Sequence, residues 1–475
     1  MVGIVNRATE SASDEASGGR DLFVDLVLRR GRMRQSLRES LRIAIQEGRL
    51  TAGTVLPSSR RLAADLGVSR GVTTDAYEQL ASEGYLDVTA RAAPVVAAVL
   101  TAAPAAPDPH VPAWRFDLTA ITPDVRLFPR REWTRAVGKA LRNTPDAALD
   151  YGDHRGRIEL RTALSSYLAR VRGVRVDPRR IVVTQGFTQA LDLMCRVLVA
   201  RGARCVAVES PTHPALSAVI EQSGLTVVGC AVDSEGLRSD DLSPGRADAI
   251  MVAPAHQFPT GAVMSSRRRV ALLGWAASHD SVILEDDYDA EFRYDRTPLG
   301  AVQGLDPGRV VHVGTASKTL APGVRLGWMS LPAGLVDEVR IRKGLADSGS
   351  PTFDQIAFAE FLTSGDYDRH IARARQTYRR RRDRLVQALA TALPELPIQG
   401  SAAGMHILLR LPDGTDDIAI AAAAAAVGIG VKALSPLQRA PSLERGLVLG
   451  YGRLPEAKID EATGALASLL TKAGV

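Results

Sequence analysis

From Phe116 to the end of the 475-residue chain, short β-rich runs alternate with helical stretches. The runs RIVVTQG, CVAVESP, AIMVAPA, SVILEDDY and VVHVGTASK are too short and too apolar for surface strands. They suit strands buried on both faces, which is how parallel sheets sit between helical layers. Strand–helix alternation at this length predicts an α/β domain with a mostly parallel sheet. Four of the runs end in polar residues where the strand should stop. Ligands of open α/β sheets bind outside the carboxyl ends of the strands. The same runs therefore predict where the chemistry lies.

The first hundred residues read differently. Residues 1–19 are small and polar, a composition that predicts a disordered tail. Residues 20–99 form a second unit. MRQSLRESLRIAIQEG has Leu37, Leu41 and Ile45 at fourfold spacing and Gly48 as a stop, the pattern of an amphipathic helix. SSRRLAADLG is a shorter helix, with Ser58 to cap its start and Gly67 its end. A third follows in SRGVTTDAYEQLASEG, with Ser69 as its cap and Val72, Ala76 and Leu80 as its buried stripe. YLDV and VVAAV then pair as a short hairpin. Residues 100–115 are rich in Pro and Ala and predict a semi-stiff linker to the domain at 116–475.

Helix, helix, turn, helix and hairpin is the order of a winged helix-turn-helix, whose last helix enters the major groove of double-stranded DNA. The formal charge of the chain is +6, and between Arg29 and Arg70 ten arginines face only Glu39, Glu47 and Asp65. The basic excess is thus local, as expected for a polyanion partner. Arg70, Gly71, Thr73 and Thr74 head the third helix, and Arg60 stands at the start of the second, where phosphate is favoured.

Only six of the 59 basic residues are lysines: Lys139, Lys318, Lys343, Lys432, Lys458 and Lys472. Where arginine is the general-purpose cation, a lysine in a special setting points to imine chemistry. Lys318 lies in VGTASKTLAPGVRLGW, with Thr315, Ser317 and Arg325 around it. VILEDDYDAEFRYD carries Asp286 and Tyr288 past a strand, and VVTQGFTQAL makes a strand, a glycine turn and a helix start fit for phosphate. A pyridoxal cofactor needs such a set: a lysine, an acid for the pyridine nitrogen, a donor to the phenolic oxygen and a phosphate cradle. The three scattered cysteines suggest neither disulfides nor zinc. No metal site is expected. The longest apolar run, near Ile418–Val427, is too short to span a membrane, and a cytoplasmic protein is expected.

LPSSRRLAADLGVSRGVTTDAYEQLASEGYL resembles the GntR family of bacterial repressors. The chain from Leu37 onward is similar to its MocR subgroup, in which a winged helix is joined to a fold-type-I aminotransferase-like domain. FPRREW, YGDHRG, PAHQFPTG and LGYGRL extend the resemblance. It implies Arg60 and Arg70 as DNA contacts. It also implies pyridoxal 5′-phosphate held by Lys318 as an internal aldimine, with Asp286 on the pyridine nitrogen and Tyr288 on the phenolic oxygen. Gly186, Phe187 and Thr188 would cradle the phosphate with Thr315, Ser317 and Arg325. His213 takes the ring-stacking place, and Tyr151 would serve the partner's site in a homodimer.

Three departures accompany these matches. His213 replaces the usual tyrosine. HQFPTG replaces NPTG, so that His256 or Gln257 is asked to serve the phenolic oxygen. Val448 stands where enzymes carry the arginine that grips a substrate carboxylate, with Arg445 and Arg453 nearby but out of register. The wing lacks the family's Gly-x-Gly turn. The implied function is a DNA-binding transcription regulator that senses pyridoxal 5′-phosphate itself and governs vitamin B6 metabolism, with at most residual transaminase activity. An amino-acid-responsive regulator and a working aminotransferase are the alternatives.

Overall fold

The computed structural model describes residues 32–89, 92–98, 114–119, 122–242, 247–295, 299–400 and 402–475. The expected tail at 1–19, the start of the N-terminal unit and most of the linker lie outside them, as does the wing tip at 90–91. The chain divides into two compact units, residues 1–112 and 113–475.

In the first unit, α1 (Met33–Gln46) buries Leu37, Leu41, Ala44 and Ile45 and ends before Gly48, whose φ of +73° closes the turn. In α2 (Ser59–Leu66), the Ser58 hydroxyl accepts from the Arg61 N–H at 3.3 Å, and Gly67 closes the helix in the left-handed region. Helix α3 (Arg70–Ser82) differs from expectation in two ways. Ser69 makes no capping bond through its side chain, and the buried stripe is Thr73, Ala76, Tyr77 and Leu80, with Val72 only half-buried. β1 (Leu86–Asp87) and β2 (Val95–Val96) pair antiparallel as the hairpin, and Val55 bridges to Val95.

The expectation that Thr73 meets DNA is corrected. Its side chain is fully buried, with Oγ1 2.7 Å from the Ser59 carbonyl and 2.9 Å from that of Arg70. The hydroxyl ties α3 to the first residue of α2, so it fixes the angle between the two helices and reaches no ligand. Tyr77 does the same from one turn on, donating to the Pro57 carbonyl at 2.9 Å.

The second unit is built on an eight-stranded sheet. Its strands in chain order are β4 (Ile181–Thr184), β5 (Cys205–Ser210), β6 (Thr226–Asp233), β7 (Gly236–Leu237), β8 (Ala249–Val252), β9 (Val282–Asp287), β10 (Val310–Thr315) and β11 (Gly327–Ser330), with β3 (Phe116–Asp117) outside it. The spatial order is β4-β11-β10-β9-β8-β5-β6-β7. The five central strands β10, β9, β8, β5 and β6 are parallel, while β11 runs antiparallel to both its neighbours. Successive residues alternate between two cores. Val206, Val208, Ala249, Met251, Leu284, Val311 and Val313 pack on one face, and Ala207, Ile250, Val252, Ile283 and Val310 on the other. Burial on both faces explains why these runs are apolar throughout.

Beside this sheet, β12 (Ile398–Gln399), β13 (His406–Leu411), β15 (Lys432–Ala433) and β16 (Arg445–Gly450) form an antiparallel sheet in the order β12-β13-β16-β15. β14 (Ile429–Gly430) pairs instead with β3. No helix among the described residues is long and apolar enough to cross a membrane.

The buried Thr73 hydroxyl gives a first prediction. Thr73→Val keeps the shape but removes the hydroxyl that links α3 to the Ser59 carbonyl. It should lower the unfolding free energy of the N-terminal unit by about 1–2 kcal/mol in denaturant titrations. Thr74→Val, at a half-buried position, should change stability by less than about 0.5 kcal/mol.

Candidate functional site: a lysine pocket at the strand ends

The carboxyl ends of β4, β5, β8, β9 and β10 converge on one cavity of about 260 Å³. Phe187, Thr188, His213, Asp286, Tyr288, Thr315, Ser317, Lys318 and Arg325 all line it. The period of a strand decides which acid enters. Asp286 shares the face of Leu284 and opens on the cavity, while Asp287 turns to the opposite face. There Asp287 accepts from Arg172 at 2.7 and 3.0 Å and pairs with His312 at 2.8 Å. Burial alone would raise the Asp287 carboxyl, but Arg172 and His312 overcome it and hold the group well below the usual carboxylate range.

Asp286 has no such support. Its Oδ1 is buried and has no hydrogen-bond partner. Burial pushes its pKa far up against the pull of Lys318, with Asp287, Asp289 and Glu209 adding repulsion. Lys318 is shifted the opposite way, lowered by burial although Asp289 and Asp286 favour its charge. A buried acid without a donor calls for a cationic or N–H partner in the cavity. The Ser317 hydroxyl is also buried without a partner, and its backbone N–H donates to Thr315 Oγ1 at 3.1 Å.

Gly186 forms the turn between β4 and the helix Phe187–Ala200, with φ at +98°. It does not itself line the cavity, but it adjoins Arg325: a Cβ there would meet the guanidinium at an ordinary contact distance of 3.6 Å, and it is the positive φ that favours glycine. Gly327 answers it from β11, where a Cβ would stand 2.8 Å from the Gly186 Cα. Arg325 adopts a left-handed backbone at φ +49°, and no other hydrogen bond or ion pair with described residues engages its side chain. Helix N-terminus, hydroxyls and arginine together suit a phosphate. The orphaned acid, the orphaned hydroxyl and the glycine-lined cradle fit a pyridoxal phosphate group.

One expectation changes, the partner of the phenolic oxygen. Gln257 is fully engaged, donating to the Pro211 and Phe258 carbonyls at 2.7 and 2.6 Å and accepting from Thr260, so it does not serve the cavity. Phe258 lines the cavity in its place and offers no donor. His256 stands behind Tyr288, its Nδ1 3.0 Å from Asp289 Oδ2 and 3.3 Å from the Tyr288 hydroxyl. It acts on the cavity only through that tyrosine. Arg445 is tied to the Ser442 and Glu444 carbonyls at 3.1 and 2.9 Å, while Arg453 lies 3.7 Å from Asp117. Tyr151 does not line the cavity; its side chain is 88% exposed.

Sequence reasoning missed Glu209, which lines the cavity with its Oε1 unpartnered and its pKa raised by burial to about 7. The signal was present in VESPTHP, where only the histidine drew attention. His213 lines the cavity with Nδ1 accepting from the Ala215 N–H at 3.2 Å, which leaves the ring proton on Nε2. Val448 packs with Phe258, Tyr288, Leu408 and Leu434, an apolar wall beside the cavity.

In the first unit, Arg34, Arg42, Arg49 and Arg61 each pair with an acid. The side chains of Arg60 and Arg70 are exposed and make no ion pair or hydrogen bond with any described residue. Gly71 is exposed beside Arg70, and Thr74 is half-buried one turn on.

Residues 33–96 match the bacterial regulatory proteins of the gntR family, and residues 126–443 match aminotransferase class I and II. The combination defines a helix-turn-helix regulator carrying an aminotransferase domain. The chain is 32% identical to the HTH-type pyridoxine biosynthesis transcriptional regulator PdxR of Corynebacterium glutamicum, over 88% of this chain and 91% of that one. It is 30% identical to the probable rhizopine catabolism regulatory protein MocR of Rhizobium meliloti, over 92% and 93%. Among solved structures, an archaeal alanine:glyoxylate aminotransferase is 30% identical with a TM-score of 0.70, covering 75% of this chain and 90% of that one. The chain belongs to the MocR subgroup of HTH-type transcriptional regulators.

The ion pair behind the site sets a second prediction. An unfolded aspartate titrates near about 3.9. Asp287 titrates lower when folded, so its contribution is complete above that value and is lost as the pH falls through the folded one. Arg172→Met should cost about 3–5 kcal/mol near neutral pH by leaving the buried Asp287 carboxylate with His312 as its remaining partner. In Asp287→Asn, denaturation midpoints followed from pH 6 to pH 3 should fall less steeply than in the unaltered protein.

Proposed function

We propose that this chain is a transcription regulator whose DNA affinity answers to pyridoxal 5′-phosphate in the Lys318 pocket. One observation carries the reading: Asp286 brings a buried, unpartnered carboxyl oxygen into a cavity that also holds Lys318. An acid in that position is stable only against a proton-bearing partner, and a protonated pyridine nitrogen is such a partner. When bound, the cofactor supplies a ring that is linked to the lysine and can accept electrons. The protein's own residues do the rest. Gly186, Phe187, Thr188, Thr315, Ser317 and Arg325 would take the phosphate. Tyr288, backed by His256 and Asp289, would donate to the phenolic oxygen, and His213 would cover the ring.

The signal is read as the cofactor because its ligands are nearly all present while the arginine of dedicated aminotransferases is replaced by Val448. The relative PdxR, named for pyridoxine biosynthesis, supports the same direction. On the DNA side, Arg70 and Gly71 at the head of α3, Arg60 on α2 and half-buried Thr74 are the contacts proposed. Two N-terminal units from a homodimer would meet two half-sites. Tyr151, exposed in one subunit, is proposed to reach the partner's phosphate.

Three measurements test this. The protein saturated with pyridoxal 5′-phosphate should absorb in the visible, and Lys318→Ala should abolish that band without changing the far-ultraviolet circular dichroism. Retention of a borohydride-reducible yellow chromophore in the variant would overturn the site. In gel shifts at several salt concentrations, Arg70→Ala should weaken specific binding by about 1–3 kcal/mol. Arg60→Ala should weaken binding to all sequences and lower the salt slope by about one. Apo and loaded protein should differ in operator affinity; equal affinities would sink the proposed signal.

A further inference from the structure

The wall at Val448 has a neighbour that the linear sequence conceals. Lys432 on β15 is directly opposite Val448 on β16, and Leu408 on β13 faces Val448 from the other side. Residues opposed in antiparallel strands project from the same face of a sheet. Val448 and Leu408 pack against Phe258 and Tyr288, and those two line the cavity. The row Leu408–Val448–Lys432 is therefore the face turned toward the pocket, and Lys432 is its charged end.

The electrostatics agree with this placement. The charge of Lys432 lowers the pKa of both His213 and Lys318, which lie on opposite strand ends of the same pocket. Burial lowers the pKa of Lys432 itself, with Asp117 working in the other direction. Lys432 is half-buried, and its ammonium makes no hydrogen bond or close ion pair with any described residue. The nearest acid is shared: Arg453 lies 3.7 Å from Asp117 Oδ2, and Asp117 Oδ1 already accepts from Thr119 N and Oγ1 at 3.1 and 2.6 Å. Two cations thus stand beside one carboxylate, next to Lys318. A half-buried ammonium without a partner is costly unless an anion meets it.

We infer that Lys432 anchors a second subsite of the pocket, which takes the carboxylate of a small amino acid entering beside Lys318. The subsite rests on the reading of the pocket as the cofactor site. It also differs in kind from an arginine grip. Lysine is a point charge and makes one strong contact, where a guanidinium makes two in a fixed plane. Lys432 therefore holds a carboxylate loosely and in a salt-sensitive way, with Val448 against the ligand's apolar part. Such a ligand adjusts the state of the loaded pocket and is not oriented as a fast-turnover substrate would be.

The test compares amines that differ only by a carboxylate. Cofactor loading of the full-length protein is first verified by visible absorbance. The loaded protein is then titrated with glycine against methylamine, and with alanine and β-alanine against ethylamine, and Kd is read from the spectral change. At least one amino acid should bind more tightly than its amine. Lys432→Met should weaken that amino acid by about tenfold to a hundredfold and leave the amine unchanged. Lys432→Arg should retain the preference. If the protein loads cofactor but no amino acid binds better than its amine, or if Lys432→Met keeps the preference, the subsite is refuted while the cofactor reading stands. A protein that takes up no cofactor overturns the cofactor reading itself.

Discussion

An acid held in a buried place without a donor is the constraint around which the larger unit is arranged. Asp286 projects from the end of β9 because its strand alternates, and the alternation that turns it inward turns Asp287 outward. The two carboxyls are neighbours in sequence and opposite in state. Asp287 is satisfied by Arg172 and His312 and anchors the sheet. Asp286 is left unsatisfied toward the cavity. A fold can tolerate a few such groups, and where one faces a cavity with a lysine it marks a place prepared for a ligand. Tyr288 and Asp289 then follow from the same strand end, where His256, from the loop after β8, meets both.

Much of this was legible in the sequence. The short apolar runs gave the parallel sheet because strands covered on both faces need apolar residues at every position. Glycine at 186, between a strand and a helix, marked a turn, and its φ of +98° is a conformation that side chains avoid. What could not be read was anything that depends on pairing across distant strands. The opposition of Lys432 and Val448 belongs to the register of β15 with β16, and neither periodicity nor spacing encodes it. The role of Gln257 was misjudged for a related reason. A polar residue in a motif looks available until its partners, here the carbonyls of Pro211 and Phe258, are known.

The small unit teaches the complementary lesson. Helix starts and stops were plain, because Ser58, Gly48 and Gly67 act locally. Thr73 was misread because a threonine at the head of a recognition helix has two uses that look identical in sequence. It can face phosphate or it can bind the helix beneath it, and only the burial of its side chain separates them. Four of the arginines in the basic stretch, Arg34, Arg42, Arg49 and Arg61, are likewise paired within the unit. The net charge of the stretch overstates the number of cations free for a polyanion, and Arg60 and Arg70 emerge because their neighbours have found acids.

The exchange of an arginine fork for an apolar residue and a single lysine bears on what kind of device this domain is. An enzyme gains rate by holding its substrate's carboxylate in one orientation, so a planar double contact is worth keeping. A regulator gains nothing from orientation as such. It needs a difference in ligand affinity between two states of the protein, and only that difference can move the equilibrium. The coupling is reciprocal: whatever factor the bound cofactor contributes to DNA affinity, bound DNA returns to the cofactor. On the proposed reading, a point-charge subsite beside the cofactor would allow graded adjustment of that factor, and the missing fork would matter less in a chain whose output is a binding constant.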